Sequence, residues 1–581
     1  MSDLELVRNG AQSGSGTSSR KLPLWTHDIQ PYNQGDPHPL SPSRRQVDRA
    51  ILDSFNSDLD GTMRRWRELY YGRVRCGTNI ELWSYTRAMG SMALATATQV
   101  GNMLRAESSL LRRSMADCQL CTFIQEIVTQ DDFFDEYPEF ILNVIDIVLY
   151  IVHVHDMGRL GRDEAQRDTL GALCENVWER RMLLVDDESL ERYCPGYRGG
   201  IREQLKMILV GVAMSPITFG YERRLRRASF ICWYYSPERR DDDLAAEDTE
   251  NSSILLEYAT GSGGHTPQTT ADPGASLALN TVQDFMREDV LLIFGAKPFM
   301  ERLFKTLEHP TTINKALSDN ITSAARCITT YDEFILELAP SGVMKALLDT
   351  VNRQASQGRQ GQQSMSLFAL LGMYTDIIAR AATPSTANRG SGMQTVIPAL
   401  VREGCLVEIQ ARALRLCVLE PQQEPIFRVL CLNGLERVRY CALATNNMSS
   451  KNPLRKMMRQ AFREQWYPTL FCLRKARPRS TFAEEHDRMI DAWKALGEDL
   501  GFEESIQKAE HERELRKALR FCAWHECEYH TKEPSVALRS RCKGCAEVRY
   551  CSRTCQRSDW TYGHNRRCRR LKEAAPDTDS I

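Results

Sequence analysis

The chain has 581 residues and a mass of 66.3 kDa, too long for one compact core. At roughly 150 residues per domain it would hold about four units, or one extended helical array with a small module attached. Hydrophobic residues make up 42% and charged residues 26%, an ordinary soluble mix. With 75 Lys and Arg against 76 Asp and Glu, the balance excludes a surface built wholly for nucleic acid or an anionic membrane.

Residues 1–45 are rich in Gly, Ser, Pro and Asn, which predicts a disordered tail. The first sixteen residues contain no apolar core of a secretory signal, so the chain is expected to be intracellular, cytoplasmic and/or nuclear. Residues 46–235 form a helical region, because apolar residues recur at three and four, as in Ile51, Leu52, Phe55 and Leu59, or Leu205, Ile208, Leu209 and Val212. Its most apolar stretch, residues 140–154, is shorter than the ~18–20 residues of a membrane span and reads as a buried helix. Residues 236–275 carry Asp241, Asp242 and Asp243 and then a Gly/Thr/Pro stretch, which predicts a disordered acidic insertion.

Residues 276–515 resume the helical pattern, with shorter polar loops at 354–364 and 383–392. Three points here resemble one another. Gly295 leads into Phe299, Leu303 and Phe304; Gly342 into Val343, Leu347 and Leu348; Gly404 into Leu406, Ile409 and Leu414. The first two glycines lie 47 residues apart, near the period of armadillo and HEAT repeats, and the segment from Ala339 to Leu348 resembles the third helix of an armadillo repeat. The fold class expected is therefore all-α, an armadillo/HEAT-like body followed by a small module at residues 516–572 and a tail at 573–581.

The helical regions offer little catalytic chemistry. His153 and His155 are two apart and so point to different sides of a helix, and Cys118-x2-Cys121 has no partner pair or βαβ context. No Gly-Lys-Ser/Thr phosphate loop or GxGxxG turn is present.

The cysteines carry the chemistry. Seven of the 19 fall between Cys522 and Cys568. They make Cys522-x4-Cys527, Cys542-x2-Cys545, Cys551-x3-Cys555 and His564-x3-Cys568, eight ligands in four pairs, the number that two tetrahedral zinc ions require. So short a segment with so few aliphatic residues needs metal to fold. Spacing alone leaves open which pairs share an ion, and His525 or His530 competes with Cys527 for the first site.

The run Arg549-Tyr-Cys-Ser-Arg-Thr-Cys-Gln-Arg-Ser-Asp-Trp560, followed by Gly563, His564 and Cys568, closely resembles the MYND zinc-finger family. The whole chain resembles fungal MYND proteins with an armadillo-like helical body. The resemblance implies interleaved sites, with Cys522, Cys527, Cys551 and Cys555 on one structural zinc and Cys542, Cys545, His564 and Cys568 on the other. It also implies that Gln556 and Trp560 contact short, often proline-rich peptides. Two departures stand out: the first pair is separated by four residues rather than two, and the spacing from Trp560 to His564 is one residue longer than the common form, with Gly563 expected to absorb the insertion.

The function expected is a zinc-binding, non-enzymatic protein-interaction adaptor, in a ubiquitin-ligase or a transcriptional-regulatory complex. Between His511 and Glu573 there are 16 Lys and Arg against 8 Asp and Glu, which raises the alternative of a nucleic-acid-associated regulator. The basic run Arg566, Arg567, Arg569, Arg570 and Lys572 reads first as a solvated helix, and nucleic acid is the less expected partner. Some MYND proteins are SET-type lysine methyltransferases, but their finger lies inside the catalytic domain near the N-terminus, and that layout is missing here.

Overall fold

The computed structural model describes residues 42–73, 80–98, 119–136, 138–155, 164–181, 197–214, 223–235, 245–261, 282–309, 314–357, 360–382, 390–419, 425–446, 452–476, 483–518, 520–532, 540–543 and 548–564. These are overwhelmingly helical, and two compact units divide them. One comprises residues 1–295 and 310–316, the other residues 296–309 and 317–581.

The first unit runs through α1 (Pro42–Ser57), α2 (Leu59–Tyr71), α3 (Ile80–Thr98), α4 (Gln119–Val128), α5 (Pro138–His155), α6 (Glu164–Glu179), α7 (Tyr197–Met214), α8 (Arg223–Tyr234) and α9 (Ala245–Thr260), then a π-helical turn, Phe285–Leu291. The apolar stretch expected to be a buried helix is α5, sandwiched by α3 and α7, with every residue from Ile147 to Ile151 fully buried. Gly90 makes the α3–α5 crossing close, since a Cβ there would lie 2.6 Å from Asn143 Oδ1 and 2.9 Å from its Cα. No described helix is long and apolar enough to cross a membrane. His153 and His155 carry side chains outside the described residues, as does Cys118, while Cys121 is a buried helical residue.

One expectation is corrected here. The middle of the supposed disordered insertion is α9, which packs on α7 and α8 and buries Leu255, Leu256, Tyr258 and Ala259. Its C-terminal carbonyls are satisfied by a remote side chain: buried Arg226 Nη1 donates to the carbonyls of Tyr258, Ala259 and Gly261. Acidic and glycine-rich flanks concealed a helix whose end is held from another element. The flanks, 236–244 and 262–281, lie outside the described residues, as do residues 1–41 of the tail, whereas α1 starts at Pro42 inside it.

The second unit contains α10 (Ala296–Glu308), most of α11 (Asn314–Thr330), α12 (Asp332–Glu337), α13 (Val343–Gln357), α14 (Gln360–Ala382), α15 (Gly390–Arg402), α16 (Leu406–Leu419), α17 (Pro425–Asn446), α18 (Pro453–Lys475), α19 (Ala483–Asp499) and α20 (Glu504–Ala518). Helix occupies most of the stretch 354–364 expected as a loop, through the ends of α13 and α14. The main packing partners are near neighbours in sequence: α10 with α13, α14 with α17, α16 with α18, α17 with α19 and α18 with α20. Packing dominated by near neighbours is a property shared with stacked helical arrays.

The three resembling points are helix corners. Gly295 (φ 84°) and Gly342 (φ 76°) each precede a helix in the left-handed region that favours glycine. At the third corner the left-handed residue is Cys405 (φ 46°), not Gly404. Gly404 is small for a different reason: a Cβ there would lie within 2.9 Å of Tyr374 Oη, the Leu400 carbonyl and Met344 Sδ. The corners are unevenly spaced and the helices run from six to 23 residues, so no uniform armadillo repeat emerges.

After α20 the chain enters a small module with a two-stranded antiparallel hairpin, β1 (Ser540–Arg541) and β2 (Arg549–Tyr550), then α21 (Arg553–Asp559) and a π-helical turn, Trp560–His564. Among its described residues the buried core is Cys522, Cys542 and Tyr550, edged by half-buried groups such as Ala523, Trp524 and Val548. A core of that size holds no fold without a further cross-link.

Candidate metal centre

Short-range turns bring the first ligands together. Cys522 N–H donates to the Tyr529 carbonyl (2.8 Å), so the 3-10 turn Glu528–His530, just past Cys527, folds back on Cys522. Ala523 N–H donates to the Arg549 carbonyl (2.9 Å), which docks this loop on β2. β2 then delivers Cys551, and α21, capped by Ser552 Oγ accepting from Cys555 N–H (3.1 Å), delivers Cys555 one turn on.

The sulfurs of Cys522, Cys527, Cys551 and Cys555 all lie within 4.8 Å of one another. Cys527 Sγ is 3.4 Å from Cys551 Sγ, which is 3.5 Å from Cys555 Sγ. A tetrahedron with bonds of about 2.3 Å has S···S edges of about 3.8 Å, so the cage fits zinc with small adjustment. Burial pushes the Cys551 thiol up to about 12, and the Cys527, Cys555 and Cys522 sulfurs add to that shift. Cys555 is pushed up by burial too, but hydrogen bonds from Ser552 and the other three sulfurs outweigh it and leave this thiol below its ordinary value. Four thiols this close ionise together only with a cation among them. A divalent zinc supplies that charge as a structural cross-link.

The histidine alternatives fall away. His530 Nδ1 sits 2.9 Å from the Cys522 carbonyl, where it supports the ligand's backbone. His525 is exposed and packs on Trp524 and Tyr562, with ring centroids 4.4 Å away in each case. Cys527 therefore completes the four-sulfur cage.

The hairpin sends the next ligand elsewhere. Cys542 follows β1 and joins His564, whose Nε2 is 3.3 Å from Cys542 Sγ. Zinc bonds of about 2.3 Å to sulfur and about 2.05 Å to nitrogen imply a tetrahedral edge of about 3.6 Å, close to this separation. Cys545 and Cys568 lie outside the described residues. The sulfur cage thus skips Cys542, as interleaving requires. The extra residue between Trp560 and His564 is taken up by the π-helical turn, which is wider than an α-turn.

Two further residues, unmarked by any ligand spacing, stand behind His564. Buried Tyr550 Oη donates to Asp559 Oδ2 (2.7 Å), and that oxygen lies 3.8 Å from His564 Nδ1. At 3.8 Å, beyond a hydrogen bond, the carboxylate acts on the ring through its charge, which suits a group standing behind a histidine that would bind metal. Asp559→Asn should keep the fold yet weaken the second zinc expected at His564 by about 10–100-fold, read by chelator competition. An unchanged affinity would remove Asp559 from this role.

Gln556 and Trp560 are both half-buried on the α21 segment, the Trp560 ring 5.8 Å from that of His564. Beside the finger's metal cage, Trp524, His525 and Tyr562 form a second aromatic group, with Tyr562 69% exposed.

Residues 524–568 match the family model of the MYND finger. The chain carries a MYND finger. MYND fingers are zinc-binding modules that mediate protein–protein interaction. The match begins two residues after Cys522, although the fold places that sulfur in the cage of the MYND finger. No match was found among curated proteins or among solved structures.

Proposed function

We propose that this chain is a non-enzymatic adaptor whose MYND finger, held by two structural zinc ions, presents a peptide-binding surface at the end of a helical body. The observation that carries the reading is the closed four-sulfur cage, since a metal saturated by protein keeps no position for water or substrate. Cys542, Cys545, His564 and Cys568 are assigned to the second ion, and Gln556 and Trp560 to the partner. A half-buried indole suits a proline ring, and a glutamine amide suits a peptide backbone. Ubiquitin-ligase and transcriptional-regulatory complexes both use adaptors of this kind, and the chain would act in the cytoplasm, the nucleus or both.

Affinity purification with mass spectrometry tests this, comparing the intact protein with Trp560→Ala after both retain two zinc ions. Loss of a subset of protein partners is the expected result. An identical partner list would take Trp560 out of the interface. Recovery of nucleic acid in place of protein, with a steep salt dependence, would favour the regulator reading that the basic segment suggests.

A further inference from the structure

Between α18 and α20, which pack on one another, lies a cavity of about 310 Å³. Its size is at the lower end for a ligand site, room for one side chain rather than a helix or a large cofactor. Buried Tyr467 and Gln507 line its inner side, and His511 stands beside Tyr467 with ring centroids 5.5 Å apart. The aromatic surface continues out of the cavity to Phe471, whose ring is 6.2 Å from that of His511. Phe471 stays 47% exposed, with Lys475 Nζ 5.9 Å from its ring centre.

The lining favours a cation. Glu464, Glu510 and Glu514 stand there against one guanidinium, Arg463, so negative charge is in excess. Burial holds the His511 imidazole below its ordinary value, so it adds no charge at neutral pH. Arg463 forks onto Glu510, with Nε donating to Oε2 at 3.3 Å and Nη2 to Oε1, and cancels that carboxylate. Glu514 has an interaction of its own. Glu464 differs from both. It accepts from neutral Gln460 Nε2 at 3.2 Å, and among the described residues it closes no ion pair. Pro468, also in the lining, has no N–H for the Glu464 carbonyl one turn earlier. Charge and acceptor capacity thus remain at Glu464, one helical turn from Tyr467 on the same face.

We propose that this cavity receives an arginine side chain from a partner protein. Its guanidinium would donate to the Glu464 carboxylate and lie against the rings of Tyr467 and His511. A planar, forked cation suits that combination better than the point charge of a lysine ammonium. Phe471, just outside, offers apolar contact to the residues flanking the arginine, which suits a polypeptide rather than a free small cation. The surface belongs to the helical body and stands whether or not the finger binds peptide.

The test is fluorescence anisotropy of a labelled tri-arginine peptide with the full-length protein at low salt, beside a tri-lysine peptide of equal charge. The arginine peptide is expected to bind about threefold or more tightly than the lysine peptide. Glu464→Gln keeps the side-chain shape at an exposed position. It is expected to weaken binding about fivefold, with the far-UV spectrum unchanged. Glu484→Gln removes an exposed charge from α19, outside the cavity lining, and is expected to leave the affinity as it was. No binding by wild type, equal binding of the two peptides, an affinity untouched by Glu464→Gln, or equal losses in both variants overturns the proposal. Displacement of the peptide by free argininamide at equal concentration would make the occupant a small molecule and overturn the choice of a protein partner.

Discussion

Replacing Cys551 by serine is expected to unfold the finger and leave the helical body standing. Cys551 sits in the middle of the cage, with sulfur neighbours at 3.4 and 3.5 Å. A structural zinc contributes on the order of 10–16 kcal/mol to folding in comparable peptides, and the finger's core of Cys522, Cys542 and Tyr550 has nothing of that size to replace it. The body has its own core, including the fully buried Trp233, Trp466 and Trp493. Zinc content should fall, limited proteolysis should open residues 520–564, and the helical circular dichroism should stay nearly intact. Collapse of the whole far-UV signal would contradict the two-part architecture.

Gly497→Ala is expected to destabilise the second unit, although alanine is the better helix former. In an open helix the exchange would gain about 1 kcal/mol. Here a Cβ at Gly497 would lie 2.1 Å from Trp466 Cε2 and Nε1. The indole cannot retreat without breaking a reciprocal lock. Trp466 Nε1 donates to the Trp493 carbonyl (3.0 Å), and Trp493 Nε1 donates to the Trp466 carbonyl (2.9 Å). Overpacking of this kind costs about 1–3 kcal/mol, and a lost buried hydrogen bond adds about 1–3 kcal/mol, so the steric cost wins. Denaturant unfolding followed by tryptophan fluorescence should show a lowered midpoint for one transition. A raised midpoint would mean that the indole has room to move.

The metal chemistry was legible because ligands on one ion need short spacings, which four Cys/His pairs display openly. The choice among Cys527, His525 and His530 was not. It depends on a 3-10 turn that aims His530 at the Cys522 carbonyl and on Tyr562 packing over His525. The separation of Cys542 from the four-sulfur cage rests on a hairpin of two residues per strand, too short to leave an alternating pattern. The roles of Tyr550 and Asp559 arise only when β2 and α21 pack together, although both stood inside the motif.

In the body, helical periodicity marked most helices because each has an apolar face to bury. It failed at α9, where composition pointed to disorder and a long-range contact from Arg226 decided otherwise. Glycine marked the corners at Gly295 and Gly342, where a positive φ demands it. At Gly404 and Gly497 the glycine answers to close approach by Tyr374 and Trp466, which sequence separation conceals.

X-ray absorption at the zinc edge of the full-length protein tests the central claim most directly. The two closed sites proposed for the MYND finger predict a shell dominated by sulfur at about 2.3 Å, with a minor nitrogen contribution near 2.0–2.1 Å and no oxygen. A shell with a water oxygen would mean an open, reactive metal and would contradict the account of a structural finger in an adaptor.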